Sequence, residues 1–128
     1  MNDIAIIPVS TTGGPVFVTV AVPQFPQSVG GVVWRYKPDQ TFDVRAGMFT
    51  TTASEVPLGA PSVVNDKFFM VEGAVLHHND NPATPYQVVV SVTQDGHIVH
   101  TEVPSPNGFG TIGNQDVPFL YRFQLKAT

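Results

Sequence analysis

A chain of 128 residues with a formal net charge of −4 and no cysteine has the size of one ordinary domain. Such a domain buries roughly two-thirds of the surface of its unfolded chain, so a hydrophobic core is expected to hold it together without disulfides. The missing cysteines exclude thiol catalysis and thiolate metal ligands. The six Lys and Arg residues are scattered rather than clustered into the basic face that a nucleic-acid partner requires.

The N-terminal part of the chain alternates apolar and polar residues with the two-residue period of β-strands. A first strand is expected over residues 4–9, where Pro8 suits the edge of a sheet because its missing N–H costs no ladder hydrogen bond there. The turn sequence Gly13-Gly14-Pro15 then introduces a clear strand over residues 16–22.

The next two strands are expected over residues 32–37 and 41–45, joined by a turn that begins at a proline. Trp34 and Tyr36 share one face of the first of these strands with Val32. The alternation predicts that both aromatic rings belong to the core of a sandwich. The alternative is that they are exposed, where they would stack on sugar rings or anchor an interface.

The middle of the chain contains one strongly apolar run. Another strand is expected to start at Met48-Phe49, and Pro57, Gly59 and Pro61 predict that residues 46–66 otherwise form a loop. Residues 68–76 are predicted to form a central strand, although Glu72 interrupts the run. A buried carboxyl group at this position would be a candidate general acid or base, whereas an outward one would lie on a solvated face.

A hairpin over residues 86–94 and 97–103 is the clearest local prediction. Asp95-Gly96 stands between the two alternating strands, and Asp-Gly favours a two-residue type I′ turn because both residues accept positive φ. A two-residue loop pairs Val92 with Val99. The buried face of the hairpin is then predicted to consist of Val88, Val90, Val92, Val99 and Val103.

The last strand alternates over residues 119–126, with Phe, Tyr, Phe and Leu on one face and Arg, Gln and Lys on the other. Strands of this kind recur about seven to nine times along the chain, and no significant helix is expected. The predicted fold is therefore all-β. Residues 1–128 are predicted to form one domain, an antiparallel β-sandwich of immunoglobulin-like or jelly-roll-like type.

A glycine-rich segment precedes the last strand. Residues 108–113 match the GxGxxG spacing, which binds dinucleotides only where it follows a strand and opens a helix. No helix is expected here, so the segment is predicted to be a long loop, and long loops often carry function. Asn107 and Phe109 are its candidate ligand-binding residues.

The densest polar cluster follows the central strand, at His77, His78, Asn79 and Asp80. These four residues are predicted to form a ligand-binding rim at one end of the sandwich. Adjacent side chains of an extended chain point in opposite directions, so His77, His78 and Asp80 would share a metal ion only in a relaxed loop. An Asx-rich turn that satisfies its own backbone is the favoured alternative, and no cofactor is expected.

The N-terminus and the apolar runs of the chain indicate where in the cell the protein is expected. The N-terminus lacks the basic region and the long apolar run of a signal peptide, and no segment approaches the roughly 20 apolar residues that span a bilayer. A cytoplasmic protein without membrane contact is therefore expected. Non-classical export and a place in a phage particle are the alternatives.

Searches for hydrolase and nucleotide signatures find no GxSxG elbow, no HExxH and no P-loop in the sequence. We therefore predict a non-enzymatic binding or assembly module that recognises protein or carbohydrate through loops at the end of the sandwich. One alternative is an oligomeric assembly protein, such as a component of a particle or surface. The other is a metal-dependent jelly-roll enzyme that uses His77, His78 and Asp80.

Overall fold

The fold is known from a computed structural model that describes residues 4–22, 28–37, 42–51, 53–76, 83, 85–104, 108–111, 113 and 115–128. Within these ranges the chain forms eleven strands and one short helix, α1 (Pro61–Val64). The strands are β1 (Ala5–Val9), β2 (Val16–Ala21), β3 (Ser28–Tyr36), β4 (Phe42–Thr51), β5 (Ala53–Gly59), β6 (Phe68–Leu76), β7 (Pro85–Gln87), β8 (Val89–Gln94), β9 (His97–Glu102), β10 (Phe109–Thr111) and β11 (Val117–Ala127).

The two larger sheets form a sandwich. One has five strands in the order β1-β11-β6-β3-β4, and the other has four in the order β5-β2-β8-β9. Strands β7 and β10 form a separate two-stranded ribbon. The predicted all-β sandwich is confirmed, and its described strand pairs are antiparallel except for β1, which runs parallel to β11.

The core lies between the two sheets because each inner strand presents an apolar residue at every second position. Strands β2 and β8 alternate strictly between buried and half-buried residues. Apart from Gln94 at the end of β8, the buried positions of both are valines, such as Val18 and Val90, whose branched side chains pack well on a pleated surface. Opposite them, the five-stranded sheet contributes the larger rings Phe49, Phe69 and Phe123.

The prediction that residues 46–66 form mostly loop is wrong. This stretch contains the second half of β4, the whole of β5 and the helix α1. Strand β5 lies at the edge of the four-stranded sheet, where Pro57 is tolerated because an edge strand needs only one row of ladder hydrogen bonds. Proline therefore indicated an edge strand and not an interruption of the sheet.

The hairpin of β8 and β9 has the predicted turn but not the predicted pairing. Asp95 and Gly96 both have positive φ, 55° and 75°. Strand β9 carries a bulge, so that Val92 pairs with His100 rather than with Val99. Val99 is consequently 36% exposed and does not belong to the core, because an extra residue in one strand reverses the faces that follow it.

The side chain of Gln94, at the end of β8, is buried and ties the connection between β1 and β2 to the sheet. Its Oε1 accepts a hydrogen bond from the Ser10 N–H at 2.9 Å. Its Nε2 donates to the carbonyl oxygens of Ser10 and Gly14, at 2.9 and 3.0 Å. The amide thus satisfies three backbone groups that no strand pairs.

We expect Gln94→Glu to lower the free energy of unfolding by about 2–3 kcal/mol at neutral pH, because a carboxylate cannot donate to the two carbonyl oxygens that it faces. Urea unfolding at about pH 7 and about pH 4 measures the loss, which should shrink in acid as the carboxyl group regains a proton to donate. Gln115→Glu, at an exposed position, makes the same charge change as a control. An equal loss at both pH values would contradict this role of the amide.

Candidate functional site

Five of the six predicted ligand-binding residues lie outside the described part of the chain, and their roles stay predictions: His77, His78, Asn79, Asp80 and Asn107. The metal site proposed for three of them therefore also stays a prediction. Among the described residues, no group of three or more His, Cys, Asp or Glu side chains is placed to hold a metal ion. The sixth residue, Phe109, lies on β10 with 71% of its surface exposed.

The predicted glycine-rich loop is partly a strand. Strand β10 pairs antiparallel with β7, with Gly110 opposite Tyr86, and the Val88 N–H donates to the Gly108 carbonyl oxygen at 2.6 Å. A Cβ atom at Gly108 would collide with the carbonyl oxygen of Pro104. Gly108 therefore allows close packing of backbone, while Gly110 and Gly113 have positive φ, 149° and 68°. These local requirements explain the three glycines without a dinucleotide.

Glu72 is exposed on the central strand β6, so the hypothesis of a buried general acid or base is wrong. The core-facing residues of β6 are Phe69, Val71 and Val75. Glu72 points to the opposite side of the strand, which is the outer face of the five-stranded sheet. Its cross-strand partners there are Leu120 on β11 and Val32 on β3.

Trp34 and Tyr36 lie on this same outer face and not, as predicted, between the sheets. The expected burial is confirmed for Tyr36, which is 6% exposed, whereas Trp34 is half-buried. Val33, between them, is fully buried in the core and pairs with Val71. Trp34 pairs instead with Met70, and neither Met70 nor Tyr36 belongs to the inter-sheet core, although both are buried. On the outer face of β3, Tyr36 is therefore buried, whereas Trp34 and Val32 are half-buried.

One row of side chains crosses four strands of the outer face and is largely apolar. Leu120, Glu72, Val32 and Met48 follow one another on β11, β6, β3 and β4; we call these four residues the Met48 row. Met48 is 60% exposed and Leu120 is 39% exposed, while Val32 between them is half-buried. The row exposes large apolar side chains on either side of a single carboxylate.

The adjacent row places an aromatic ring between two arginines. Arg122, Met70, Trp34 and Arg45 follow one another on the same four strands; we call these residues the Trp34 row. Arg45 is exposed, while Arg122 and Trp34 are half-buried. Aromatic residues, methionine and arginine are the residue types enriched in protein interfaces, and the two rows together form what we call the outer patch.

The outer face of the four-stranded sheet has a different chemistry. Its central row runs through Glu55, Thr19, Ser91 and Thr101 on β5, β2, β8 and β9. Hydroxyl groups and a carboxylate make this row a solvated surface. The row beside it, Pro57, Phe17, Thr93 and Ile98, is more apolar, and Ile98 is 66% exposed. Exposed apolar side chains therefore occur on both outer faces, and the combination of tryptophan, methionine and arginine distinguishes the outer patch.

The sheet edges are protected against pairing with further strands. Pro8 lies in β1 and Pro57 in β5, β9 has its bulge at Val99, and β4 has two irregularities in its register with β3. Prolines and bulges are the devices by which natural sheets discourage edge-to-edge association. The outer patch is thus a better candidate for recognition than any of the four edges.

Two polar residues of β9, His100 and Glu102, lie close enough to interact, and the charge of Glu102 reaches Tyr121 on β11. His100 Nε2 is 3.5 Å from Glu102 Oε2. The hydroxyl group of Tyr121 is buried without a hydrogen-bond partner among the described residues. Burial, reinforced by the negative charge of Glu102, raises the pKa of Tyr121 to about 12. A phenol of this pKa keeps its proton at neutral pH, so Tyr121 cannot act as a general base.

All three tyrosines of the chain have a raised pKa, in each case chiefly because of burial: Tyr36, Tyr86 and Tyr121. A raised folded-state pKa means that stability is complete below the unfolded value of 10.0 and is lost as pH rises from there towards about 12. We expect phenolate absorbance to rise together with unfolding. Tyr121→Phe should move the alkaline unfolding midpoint to higher pH and raise the free energy of unfolding by about 1 kcal/mol. Titration of the tyrosines in the folded protein near their ordinary pKa, before unfolding, would contradict this.

No helix in the described part of the chain is long and apolar enough to cross a membrane. Comparison with known proteins found no protein family, no curated protein and no solved structure that matches the chain. The functional argument consequently rests on the surface of the molecule itself. Sequence reasoning missed Met48, Arg45, Leu120 and Arg122, and the signal that would have pointed to them is the apolar Leu120 among the polar outward residues of the last strand.

Proposed function

We propose that the protein is a non-enzymatic binding and assembly module that docks a protein partner on the outer patch. The supporting observation is the exposure of Met48 and Leu120, 60% and 39%, in a row that adjoins Trp34 and its flanking arginines. Tryptophan and arginine are the residues that most often dominate the energy of protein interfaces. The proposal includes a cytoplasmic location, which cell fractionation would test.

A protein partner suits this surface better than a small molecule does. Small ligands bind in concave sites that enclose most of their surface, whereas the outer patch is the face of a sheet with side chains spread over four strands. Full burial of an apolar side chain the size of methionine or leucine contributes about 1.5–3 kcal/mol. Covering Met48 and Leu120 with a second apolar surface would therefore favour association.

Site-specific photo-crosslinking tests the proposal. A photoreactive side chain at Met48, on the outer patch, should give a crosslinked product that excess unlabelled protein suppresses and that excess Met48→Lys protein does not. The same group at Thr101, exposed on the outer face of the other sheet, is the control. Equal crosslinking from both positions, or none from Met48, would show that the outer patch is not a docking surface.

Carbohydrate recognition at the ribbon of β7 and β10 is a second candidate function. It is supported by the 71% exposure of Phe109, since an exposed aromatic ring can stack on a sugar. A glycan array should then show ligands whose binding is lost in Phe109→Ala and retained in Met48→Lys. The absence of any glycan that depends on Phe109 would exclude this function.

The metal-dependent enzyme remains a separate prediction. A thermal melt in EDTA, and then with added zinc or nickel, tests it, because binding to the native state alone raises stability by about 2.7 kcal/mol at a hundredfold excess over the dissociation constant. A shift that disappears in both His77→Ala and Asp80→Ala would support the metal site. A shift that both variants retain would exclude these ligands.

A further inference from the structure

We infer that the protein partner on the outer patch is a second copy of this chain, in a two-fold dimer that packs two five-stranded sheets face to face. The inference rests on the proposed function and adds the identity of the partner. It is carried by the charges of the outer patch, by the geometry of its two rows and by the area that the patch offers.

The outer patch carries charges of both signs. Glu72 is exposed in the Met48 row, and Arg122 and Arg45 stand in the Trp34 row. Among the described residues none of these three side chains has an oppositely charged group within ion-pair distance. A surface made for a strongly acidic or basic partner carries charge of one sign, whereas one with both signs can complement itself.

The positions of the two rows allow this complementarity in a single symmetric arrangement. One such two-fold axis lies in the plane of the interface, perpendicular to the strands and midway between the two rows. It sets the Met48 row of each copy against the Trp34 row of the other. Glu72 of one copy then lies over Met70 of the opposing copy. Arg122 of the opposing copy is on the neighbouring strand, about 4.8 Å to the side. An axis along the strands would instead place Arg122 against Arg45, and like charges in contact disfavour it.

The size of the face is compatible with a weak dimer. With four strands about 4.8 Å apart and two rows about 6.8 Å apart, the outer patch spans a projected area of about 260 Å². The rows on either side of it, which contain Ala74 and Phe68 on β6, bring the projected area of this face to about 500 Å². Protruding side chains such as Met48 add to this area, and specific interfaces begin near 600 Å² per partner. A two-fold interface closes on itself, and the protected sheet edges do not extend it, so the expected product is a dimer that dissociates on dilution.

Sedimentation velocity from micromolar to millimolar protein measures the equilibrium. We expect a reversible monomer–dimer transition in the wild-type protein. Glu72→Arg and Arg122→Glu should each raise the dissociation constant at least about tenfold, because each puts like charges together across the interface. The double variant Glu72→Arg with Arg122→Glu should restore it. Glu55→Arg, exposed on the outer face of the other sheet, makes the same charge change as a control and should have no effect.

Three results would overturn the dimer: a monomer at every concentration, equal weakening by Glu55→Arg, or no recovery in the double variant. Circular dichroism of each variant shows whether the fold is retained. The mass of the product crosslinked at Met48 shows whether only the dimer is wrong or the proposed docking surface is wrong as well. A specific product with a different protein would remove the dimer and leave the docking surface, whereas no specific product would remove both.

Discussion

Phe123→Ala is expected to remove about 3–5 kcal/mol from the free energy of unfolding. Phe123 is fully buried in the middle of β11, and its ring lies 5.6 Å from the ring of Phe69 on β6 and 5.6 Å from that of Tyr121. Truncation leaves a cavity that both neighbouring rings border, and strands on each side hold the cavity open. Because a domain of this size is stable by only about 5–15 kcal/mol, the variant should be marginally folded.

Urea unfolding followed by the fluorescence of the single tryptophan measures this loss. Leu120→Ala is the matched control, because Leu120 lies three positions away on the same strand but faces the outer patch and is 39% exposed. Its loss should stay below about 1 kcal/mol when both variants are measured at dilution, where the proposed dimer is dissociated. Similar losses in the two variants would mean that the ring of Phe123 does not occupy the core position described here.

The fold class followed from residue periodicity because most strands of this chain have one apolar and one polar face. Strand β2 and the hairpin of β8 and β9 are local patterns, and an Asp-Gly turn specifies its own geometry. The bulge at Val99 was missed because its signal is small: two adjacent apolar residues, Ile98 and Val99, interrupt an alternation that is otherwise regular. Val99 was consequently assigned to the buried face and His100 to the outer one, although His100 is the residue opposite the buried Val92.

The position of Trp34 shows a second limit of periodicity. Alternation separates Trp34 from Val33 but does not say which of two apolar faces meets the other sheet. On β3 both faces are apolar, and the smaller valines pack between the sheets while the aromatic rings cover the outside. The phenylalanines of the neighbouring strands β4, β6 and β11 lie on the same inner face as these valines and fill the space beside them. Side-chain size, and not hydrophobicity, therefore distinguishes the two faces of β3.

The outer patch was not predictable from the sequence for a related reason. Its residues come from four strands that are distant along the chain, from Val32 to Arg122, and only the cross-strand register brings them together. Single residues such as Met48 carry no signal on their own. The sequence identified candidate loops instead, because clusters of polar residues and glycines are visible within a few positions.

The sheet beneath the outer patch depends on two glycines that face each other across β3 and β6. Gly31 pairs with Gly73. A Cβ atom at Gly31 would collide with the Glu72 carbonyl oxygen and come within 2.6 Å of the Gly73 Cα and 2.7 Å of Phe49 Cζ. Two of these three atoms belong to the backbone of β6 and cannot rotate away, so a side chain at this position has to push β3 and β6 apart.

We therefore expect Gly31→Ala to lower the free energy of unfolding by about 1–3 kcal/mol or more. Gly30→Ala is the matched control on the same strand, because the nearest atom to a Cβ atom there is 3.8 Å away. Replacing a glycine in an unstrained, open position tends to stabilise by about 0.4–1 kcal/mol. The two variants should thus differ in sign, and urea unfolding that gives both the same loss would contradict the close approach of the strands.

The same substitution links the core to the proposed interface. Gly31 precedes Val32, and its partner Gly73 follows Glu72, so separating the strands at the glycine pair also displaces two members of the Met48 row. Under conditions where Gly31→Ala remains folded, its dimer should dissociate at higher protein concentrations than the wild-type dimer. If folded Gly31→Ala protein had the same dissociation constant as the wild-type protein, the Met48 row would not take part in association. The reason is that the substitution displaces Val32 and Glu72, which belong to that row.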